Sequence, residues 1–573
     1  MRNNRAFNAV KTVAIGAAVM MMGASAFAQS PKNVIFMIPD GCAQSVVTLA
    51  RWFKGTDLEI DDMLAGHTTT HMANSVITGS AAAGTAFACG EKTTVRFLGI
   101  RPRLNDLLTT MPPQDPDKAY APLASILEAA KSAGKSVGLV ATSRITHATP
   151  AAFASHIADR GWDNDIMEHM VYQNMDVVLG GARRHLLPTS MGGRRTDGEN
   201  LEQVLIDRGY SVVTTKDDMD AVTSGKLWGA FASSHMEADI DRQFFAPEQP
   251  SLADMTAKAI ELLSQNPNGF FLMVEGSQVD WAGHANDAFY MVTDFLAFDD
   301  AVAEAKAFAD GAGAGETLVA AFPDHNTGGM ALGSDYAPVP YTATTVDDMI
   351  GPLQGMTMSA YGVARMIEEA SVIATGDVRI TPQTIQAGVQ THWGLPMTLS
   401  EALAVYDAVV DGSSLDYAIA TYANQNYLAI GWTTHGHSAE DVPLWLHGMN
   451  PALAAGLIDN TEIPRAIAYL WGCDLAVLTD ALYVNAMDAF PGEAVIDHSD
   501  PENPVLVIKG EVEMPFSKDY LVYDGVEYPT GGLTVYAPLR DGDDSDDGSI
   551  HTVVENRVYI PQAIVDAINL VLP

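Results

Sequence analysis

Asn33-Val34-Ile35-Phe36-Met37-Ile38-Pro39-Asp40-Gly41 is an apolar run that stops at a carboxylate and a glycine. A run this short, closed by Pro and Gly, fits a strand buried on both faces. The pattern recurs along the chain. Ser136 to Ala141 leads towards Thr146-His147-Ala148-Thr149, Gly269 to Val274 ends at Glu275 with Asp280 and His284 just beyond, and Thr317 to Phe322 ends at Asp324-His325. Between these runs, Pro122 to Ala133, Leu252 to Ser264 and Asp287 to Phe308 have helical periodicity. The alternation predicts an α/β fold, a doubly wound and largely parallel sheet with helices on both faces. Ligands in such sheets gather beyond the carboxyl ends of the strands. The polar residues fall there, so a single shared site is expected.

Taken singly, these residues have ordinary explanations. Asp40-Gly41 reads equally as a turn. Ser80 opens the small-residue run Ser80-Ala81-Ala82-Ala83-Gly84, which suits either a helix N-cap or a helix start that receives a phosphoryl group on its backbone N–H groups. Glu275, Asp280 and His284 form Glu-x4-Asp-x3-His, in which the last two reach one cation from a single helical turn and the first serves a neighbour. Asp324-His325 repeats the theme, and His437 sits in Gly436-His437-Ser438 with His435 as a competitor. Carboxylate and imidazole ligands gathered at strand ends are the donor set of a divalent-cation site.

In order along the chain, Asp40-Gly41, the Thr78-x-Ser80-Ala81-Ala82 run, His147-Ala148-Thr149-Pro150, Glu275 with Asp280 and His284, Asp324-His325 and Gly436-His437-Ser438 together resemble the alkaline phosphatase family. The wording from Glu275 to His284 is especially similar to its bacterial, cold-marine type, and the match covers roughly Asn33 to Gly448. The resemblance implies hydrolysis of phosphate monoesters through a phosphoserine, with Ser80 as nucleophile, two Zn2+ and one Mg2+. It places Asp40, Asp324 and His325 on the zinc beside Ser80, and Asp280, His284 and His437 on the second zinc. Asp40, Thr149 and Glu275 would hold magnesium with His147 close by, Arg160 would clamp the phosphate, and Trp281 would line the entrance or pack in the core. It also implies a homodimer. Two positions depart from the family pattern. Gly79 stands where an Asp usually precedes the nucleophile and helps to orient the arginine, with Arg144 as a possible substitute, and Pro323 replaces the usual Ala before Asp324.

Around this core, Arg2, Arg5 and Lys11 precede the apolar run Thr12 to Gly23 and the small-x-small triplet Ala26-Phe27-Ala28. That pattern predicts a signal peptide, residues 1–28, cleaved before Gln29 for a periplasmic or secreted protein. No later segment reads as membrane-spanning. Loss of those three basic and no acidic residues takes the net charge from −39 to −42, which argues against a nucleic-acid partner and leaves an anionic substrate dependent on a locally positive site. Cys42, Cys89 and Cys473 form no disulfide framework and are expected to be buried. The catalytic region is expected over 29–489, with a large insertion at about 331–430 that includes helices Ala360 to Ala370 and Leu399 to Val410. A β-rich segment follows over 490–573, with strands such as Val505 to Ile508 and Tyr520 to Tyr523 and an acidic loop from Asp541 to Asp547. Other classes that use these residues are a phosphodiesterase or sulfatase on the same scaffold and a metal-binding protein without catalysis. The absence of a Cys-x-Pro-x-Arg motif at Ser80 speaks against the sulfatase.

Overall fold

The strands β1 (Asn33–Pro39), β2 (Leu64–Thr69), β3 (Ser136–Arg144), β4 (Val177–Gly181), β5 (Tyr210–Val213), β6 (Lys226–Ala230), β7 (Phe270–Gly276) and β8 (Thr317–Ala321) join Val442–Gly448 and Gly456–Asp459 in a ten-stranded sheet. In this computed structural model, which describes residues 30–337, 339–372, 378–449, 456–540 and 553–572, the spatial order runs Gly456–Asp459, β2, Val442–Gly448, β8, β1, β7, β3, β4, β6, β5. From β8 to β5 every neighbour pair is parallel, whereas Val442–Gly448 runs antiparallel to both β8 and β2. The expected leader, residues 1–28, and the acidic loop Asp541 to Asp547 lie outside the described residues. No helix among the described residues is long and apolar enough to cross a membrane.

The doubly wound arrangement follows from period-2 burial within continuous apolar runs. In β1, Ile35 and Met37 enter one core while Val34, Phe36 and Ile38 enter the other. In β7, Phe270, Leu272 and Val274 divide from Phe271 and Met273 in the same way. Each face therefore needs its own helices. Helices Leu252–Leu263 and Ala288–Asp310 cover the first face, and Ile126–Ser132 and Ala148–Ala154 cover the second. The first of the three expected helices starts later than its periodicity suggested, because Ser125 caps it in a capping box with Glu128.

Segment 331–430 is more helical than its composition indicated. It holds Val346–Gln354, Ala360–Ala370, Pro382–Trp393, Leu399–Val410 and Leu415–Asn426, and their apolar faces join the core of the first sheet face. The C-terminal strands form a five-stranded antiparallel meander from Ala494 to Pro529, and Val484–Asn485, Val553–Ile560 and Val535–Arg540 form a second sheet. Both surround a separate core built on Leu506, Met514, Val558 and Ile564. Ion pairs fasten this part to the main sheet. Arg208 pairs with Asp519 at 2.7 Å, and Lys518 and Arg195 lie among Glu168, Asp197 and Glu199. Cys42 and Cys89 are buried and Cys473 is partly so, all three as free thiols.

Candidate metal centre

β1, β7 and β8 are adjacent and parallel, and all three deliver carboxylates to one end of the sheet. Asp40 follows β1, and its N–H donates to the Gly276 carbonyl at 3.2 Å, which prolongs the ladder. Glu275 lies within β7, opposite Ile38 on one side and Ala141 on the other. Asp324 and His325 follow β8 after Phe322 and Pro323. The chain must turn at Gly41, where φ is +73°, and its N–H donates to Asp324 Oδ1 at 3.1 Å. A Cβ there would lie 2.7 Å from the Asp280 Cα. Gly41→Ala is therefore expected to cost at least about 2 kcal/mol by thermal or denaturant unfolding, combining the left-handed backbone with a backbone overlap. Gly55 has the same φ but open space around it, so Gly55→Ala is expected to cost only about 1 kcal/mol.

The three imidazoles share one tautomer, fixed by their outer partners. His325 Nδ1 donates to Thr327 Oγ1 at 3.2 Å, because that hydroxyl gives its own hydrogen to Asp280 Oδ1 at 2.6 Å. His437 Nδ1 donates to the Thr78 carbonyl at 2.8 Å, and His284 Nδ1 to the His435 carbonyl. Each Nε2 faces inward, where it offers a lone pair to a cation or, without one, carries a proton towards a neighbouring carboxylate. His325 Nε2 is 3.0 Å from Asp324 Oδ2, 3.7 Å from Asp40 Oδ1 and 3.4 Å from the Ser80 hydroxyl. His284 Nε2 is 3.4 Å from Asp280 Oδ2 and 3.3 Å from His437 Nε2, which is 3.6 Å from Asp280 Oδ1. Lone pairs facing lone pairs repel unless a proton or a cation lies between them.

A third group brings Asp40, His147 and Glu275 ligand atoms within 4.8 Å of one another. Both oxygens of Asp40, Glu275 Oε1, Asp324 Oδ2, Thr149 Oγ1 and His147 Nδ1 are buried without a hydrogen-bond partner. Buried polar atoms are rarely left unpaired, and these six are all carboxylate, hydroxyl or imidazole donors to cations. Burial, reinforced by Asp324, Asp280 and Glu275, drives the Asp40 carboxyl far above its ordinary range, and burial pushes Glu275 up to about 7. Burial also disfavours the charge on Asp280, but His284, His325 and His437 outweigh it and hold that carboxyl low. The donor set fits divalent cations, which relieve the crowding of Asp40, Glu275, Asp280 and Asp324 and use the inward lone pairs.

Ser80 begins helix Ser80–Cys89, whose ten residues are all buried. Small side chains allow that packing, as at Gly84, where a Cβ would lie 3.0 Å from the Ala152 Cβ. Gly79 borders open space, with nothing within 4 Å of an added Cβ. The Arg160 guanidinium reaches His147 Nε2 at 2.7 Å, while the Arg96–Asp159 pair steadies the adjoining chain and Arg96 O accepts the Arg160 N–H. Arg144 is committed elsewhere, to Asp163 at 2.7 Å and His235 at 2.8 Å. Trp281 stands edge-on to His147 and His235, with ring centroids 5.7 and 4.3 Å away. The sequence reading did not single out Thr327, or Ser143, whose hydroxyl donates to Glu275 Oε2 at 3.3 Å. The His-x-Thr spacing from His325 was the available signal for Thr327. His435 supplies a carbonyl to His284 and is not placed as a ligand.

A serine at a helix start, beside clustered cation ligands at the carboxyl end of a doubly wound sheet, defines the class to which this protein belongs. A family model described as alkaline phosphatase matches residues 31–473. Alkaline phosphatase 3 of Bacillus subtilis is 34% identical over 458 residues, covering 76% of this chain and 88% of that one. The crystal structure of a cold-active alkaline phosphatase from Shewanella sp. superposes with a TM-score of 0.64 at 28% identity, covering 77% of this chain and 99% of the other. A mutant of the alkaline phosphatase TAB5, with His replaced by Asp and Mg bound in its M3 site, gives 0.54 at 25% identity, covering 78% and 99%. The chain belongs to the alkaline phosphatase family, enzymes that hydrolyse phosphate monoesters.

Proposed function

We propose that this enzyme passes the phosphoryl group of a monoester to Ser80 and then to water, at a centre that holds two zinc ions and one magnesium ion. The observation that carries the reading is the Ser80 hydroxyl 3.4 Å from His325 Nε2, at the edge of buried carboxylates whose oxygens lack partners. Asp40, Asp324 and His325 would hold the zinc beside Ser80, and Asp280, His284 and His437 the other. Asp40, Thr149 and Glu275 would hold magnesium with His147 alongside, a reading supported by the Mg-bound TAB5 relative. When bound, the cations supply Lewis-acid activation of serine and water and offset charge on the entering and leaving oxygens of an in-line displacement.

The chain's own residues do the rest. Ser80 Oγ gives its proton to solvent and forms a bond to phosphorus as the ester P–O bond breaks, and the alcohol leaves after taking a proton from solvent. Water then attacks the phosphoserine, the P–Oγ bond breaks, and phosphate and the serine hydroxyl are restored. The helix start at Ser80 favours the anionic phosphoryl group. Arg160 grips two phosphoryl oxygens in a fork, its guanidinium steadied by His147 where the family usually has an Asp at position 79. Trp281 lines the entrance. Arg160→Ala is expected to lower kcat/KM about 30- to 100-fold, the loss of a charged hydrogen-bonded pair, with the fold intact by circular dichroism. A change below threefold would remove Arg160 from the clamp.

The reaction class is tested by comparing a chromogenic phosphate monoester, a diester and a sulfate ester at alkaline pH with zinc and magnesium. The monoester is expected to turn over fastest. Faster cleavage of the diester or the sulfate ester would contradict the reading. We place residues 1–28 in a cleaved leader and the mature chain in the periplasm or outside the cell. Residues 29–489 form the catalytic part and 490–573 a β-rich appendage. The enzyme works as a homodimer through segment 331–430, where Tyr341, Val410 and Leu403 are exposed.

A further inference from the structure

His284 and the loop leading to His437 are joined by a contact that plays no part in the chemistry above. His284 Nδ1 donates to the His435 carbonyl, and His435 Nδ1 donates back to the His284 carbonyl at 3.1 Å. This reciprocal pair ties helix Gln278–Ala285, which carries Asp280 and His284, to the loop that delivers His437 two residues later. With the hydrogen on Nδ1, His435 Nε2 keeps a lone pair, and the Tyr417 hydroxyl donates to it. Tyr417 stands on Leu415–Asn426, the last helix of the insertion. From the same helix, Asn424 Nδ2 donates to the Asn286 carbonyl at 2.8 Å in a buried contact. Asn286 closes the ligand helix in the left-handed conformation, φ 52°. One insertion helix thus grips both the end of the ligand helix and the loop beside it.

We propose that Tyr417 and His435 are positioning residues for the Asp280–His284–His437 cation site, so that the insertion governs how firmly this site keeps its zinc. The proposal rests on the metal reading above. The His284 side chain is 41% exposed, so packing alone does not fix its ring. Its orientation depends on the carbonyl that accepts from Nδ1. That carbonyl belongs to a loop whose backbone is held at Gly328, where the carbonyl accepts from the Thr433 and Thr434 N–H groups and the N–H donates to the Gly436 carbonyl at 2.9 Å. The loop's approach to His284 is set by the His435 side chain, which is exposed and has polar contacts with the His284 carbonyl, Tyr417 and the Asn286 amide. Outer partners of metal-bound histidines set affinity by fixing tautomer and ring plane, and their loss typically costs about 10- to 100-fold. Substituting His435 leaves its backbone carbonyl in place and removes the brace that aims it.

Zinc affinity of the whole protein, measured by competition with a colorimetric chelator, tests this, with the visible absorption of the Co2+-loaded protein as a second readout of ligand geometry. His435→Ala is expected to weaken one of two zinc equivalents about 10- to 100-fold and to alter the cobalt spectrum. Tyr417→Phe should act in the same direction by a smaller factor. His435→Asn, whose amide replaces Nδ1 as donor, should recover part of the loss. Tyr422→Phe, on the same helix, should match the wild type. Because Tyr417→Phe removes a single oxygen, it decides the question where His435→Ala fails to fold. If the wild type binds two equivalents and both Tyr417→Phe and His435→Ala hold them equally tightly with unchanged cobalt spectra, the positioning role is overturned. A wild type that binds no zinc overturns the metal reading beneath it.

Discussion

Ser80→Ala is expected to lower kcat/KM for a phosphate monoester by on the order of 10³- to 10⁵-fold, as loss of a covalent nucleophile does elsewhere, while thermal unfolding stays within about 1 kcal/mol of the wild type. The two halves of the expectation rest on the same geometry. The hydroxyl is buried at a helix start, and its hydrogen-bonding contact is the long 3.4 Å approach to His325, so removing it forfeits little stability. Ala also suits a helix whose next three residues are alanines. Activity and stability should therefore separate cleanly. Activity that survives within tenfold would mean that water attacks the ester directly and that Ser80 only lines the site.

Removal of divalent cations is expected to abolish turnover and to make stability fall as pH rises from about 7 to 9. Glu275 is raised to about 7 by burial, so its share is lost mostly below that pH, and Asp40 is raised well above its ordinary range by burial and its carboxylate neighbours. Burial works against charge on His284, but its hydrogen bond to Asp280 outweighs this and lifts it to about 9. All three groups hold protons in the folded protein that the unfolded chain releases at lower pH, so their contribution is present on the acid side and lost as pH rises through the folded values. Burial lowers His437 to about 4 and takes His147 well below its ordinary range, which favours folding as pH rises towards about 6.5 and flattens the profile there. With cations bound the trend should reverse, because ligands bind deprotonated and affinity grows with pH. The Tm gap between loaded and stripped protein should thus widen from pH 7 to 9. A constant gap would contradict a cluster organised around cations.

The strands that carry the site were legible because each is an apolar run ended by a ligand type. Asn33 to Ile38, Gly269 to Val274 and Thr317 to Phe322 match β1, β7 and β8 within a residue or two. Asp40, Asp324 and His325, which the family resemblance assigns to one cation, have ligand atoms close together. Less legible were features fixed by tertiary contacts. Strands β4, β5 and β6 are short, and Leu64–Thr69 is only partly buried, so none stands out by hydropathy. Of the five insertion helices among the described residues, Val346–Gln354 contains Pro352 and Pro382–Trp393 contains Gly388, which blurs their periodicity. Their starts were nonetheless written in Thr345 with Asp348 and in Thr381 with Thr384, both capping boxes. The tautomers of His284, His325 and His437 depend on Thr78, Thr327 and His435, two of them remote in sequence from the ligand they orient. No local pattern encodes that.

In the proposed reaction the phosphoryl group rests on Ser80 between two displacements. Acid quenching of the enzyme during turnover of a labelled monoester, followed by peptide mapping, tests it most directly. A stoichiometric phosphate is expected on the peptide containing Ser80, absent from Ser80→Ala and lost on return to alkaline pH with cations. Turnover at the full rate with no label on Ser80, or label on another residue, would contradict it.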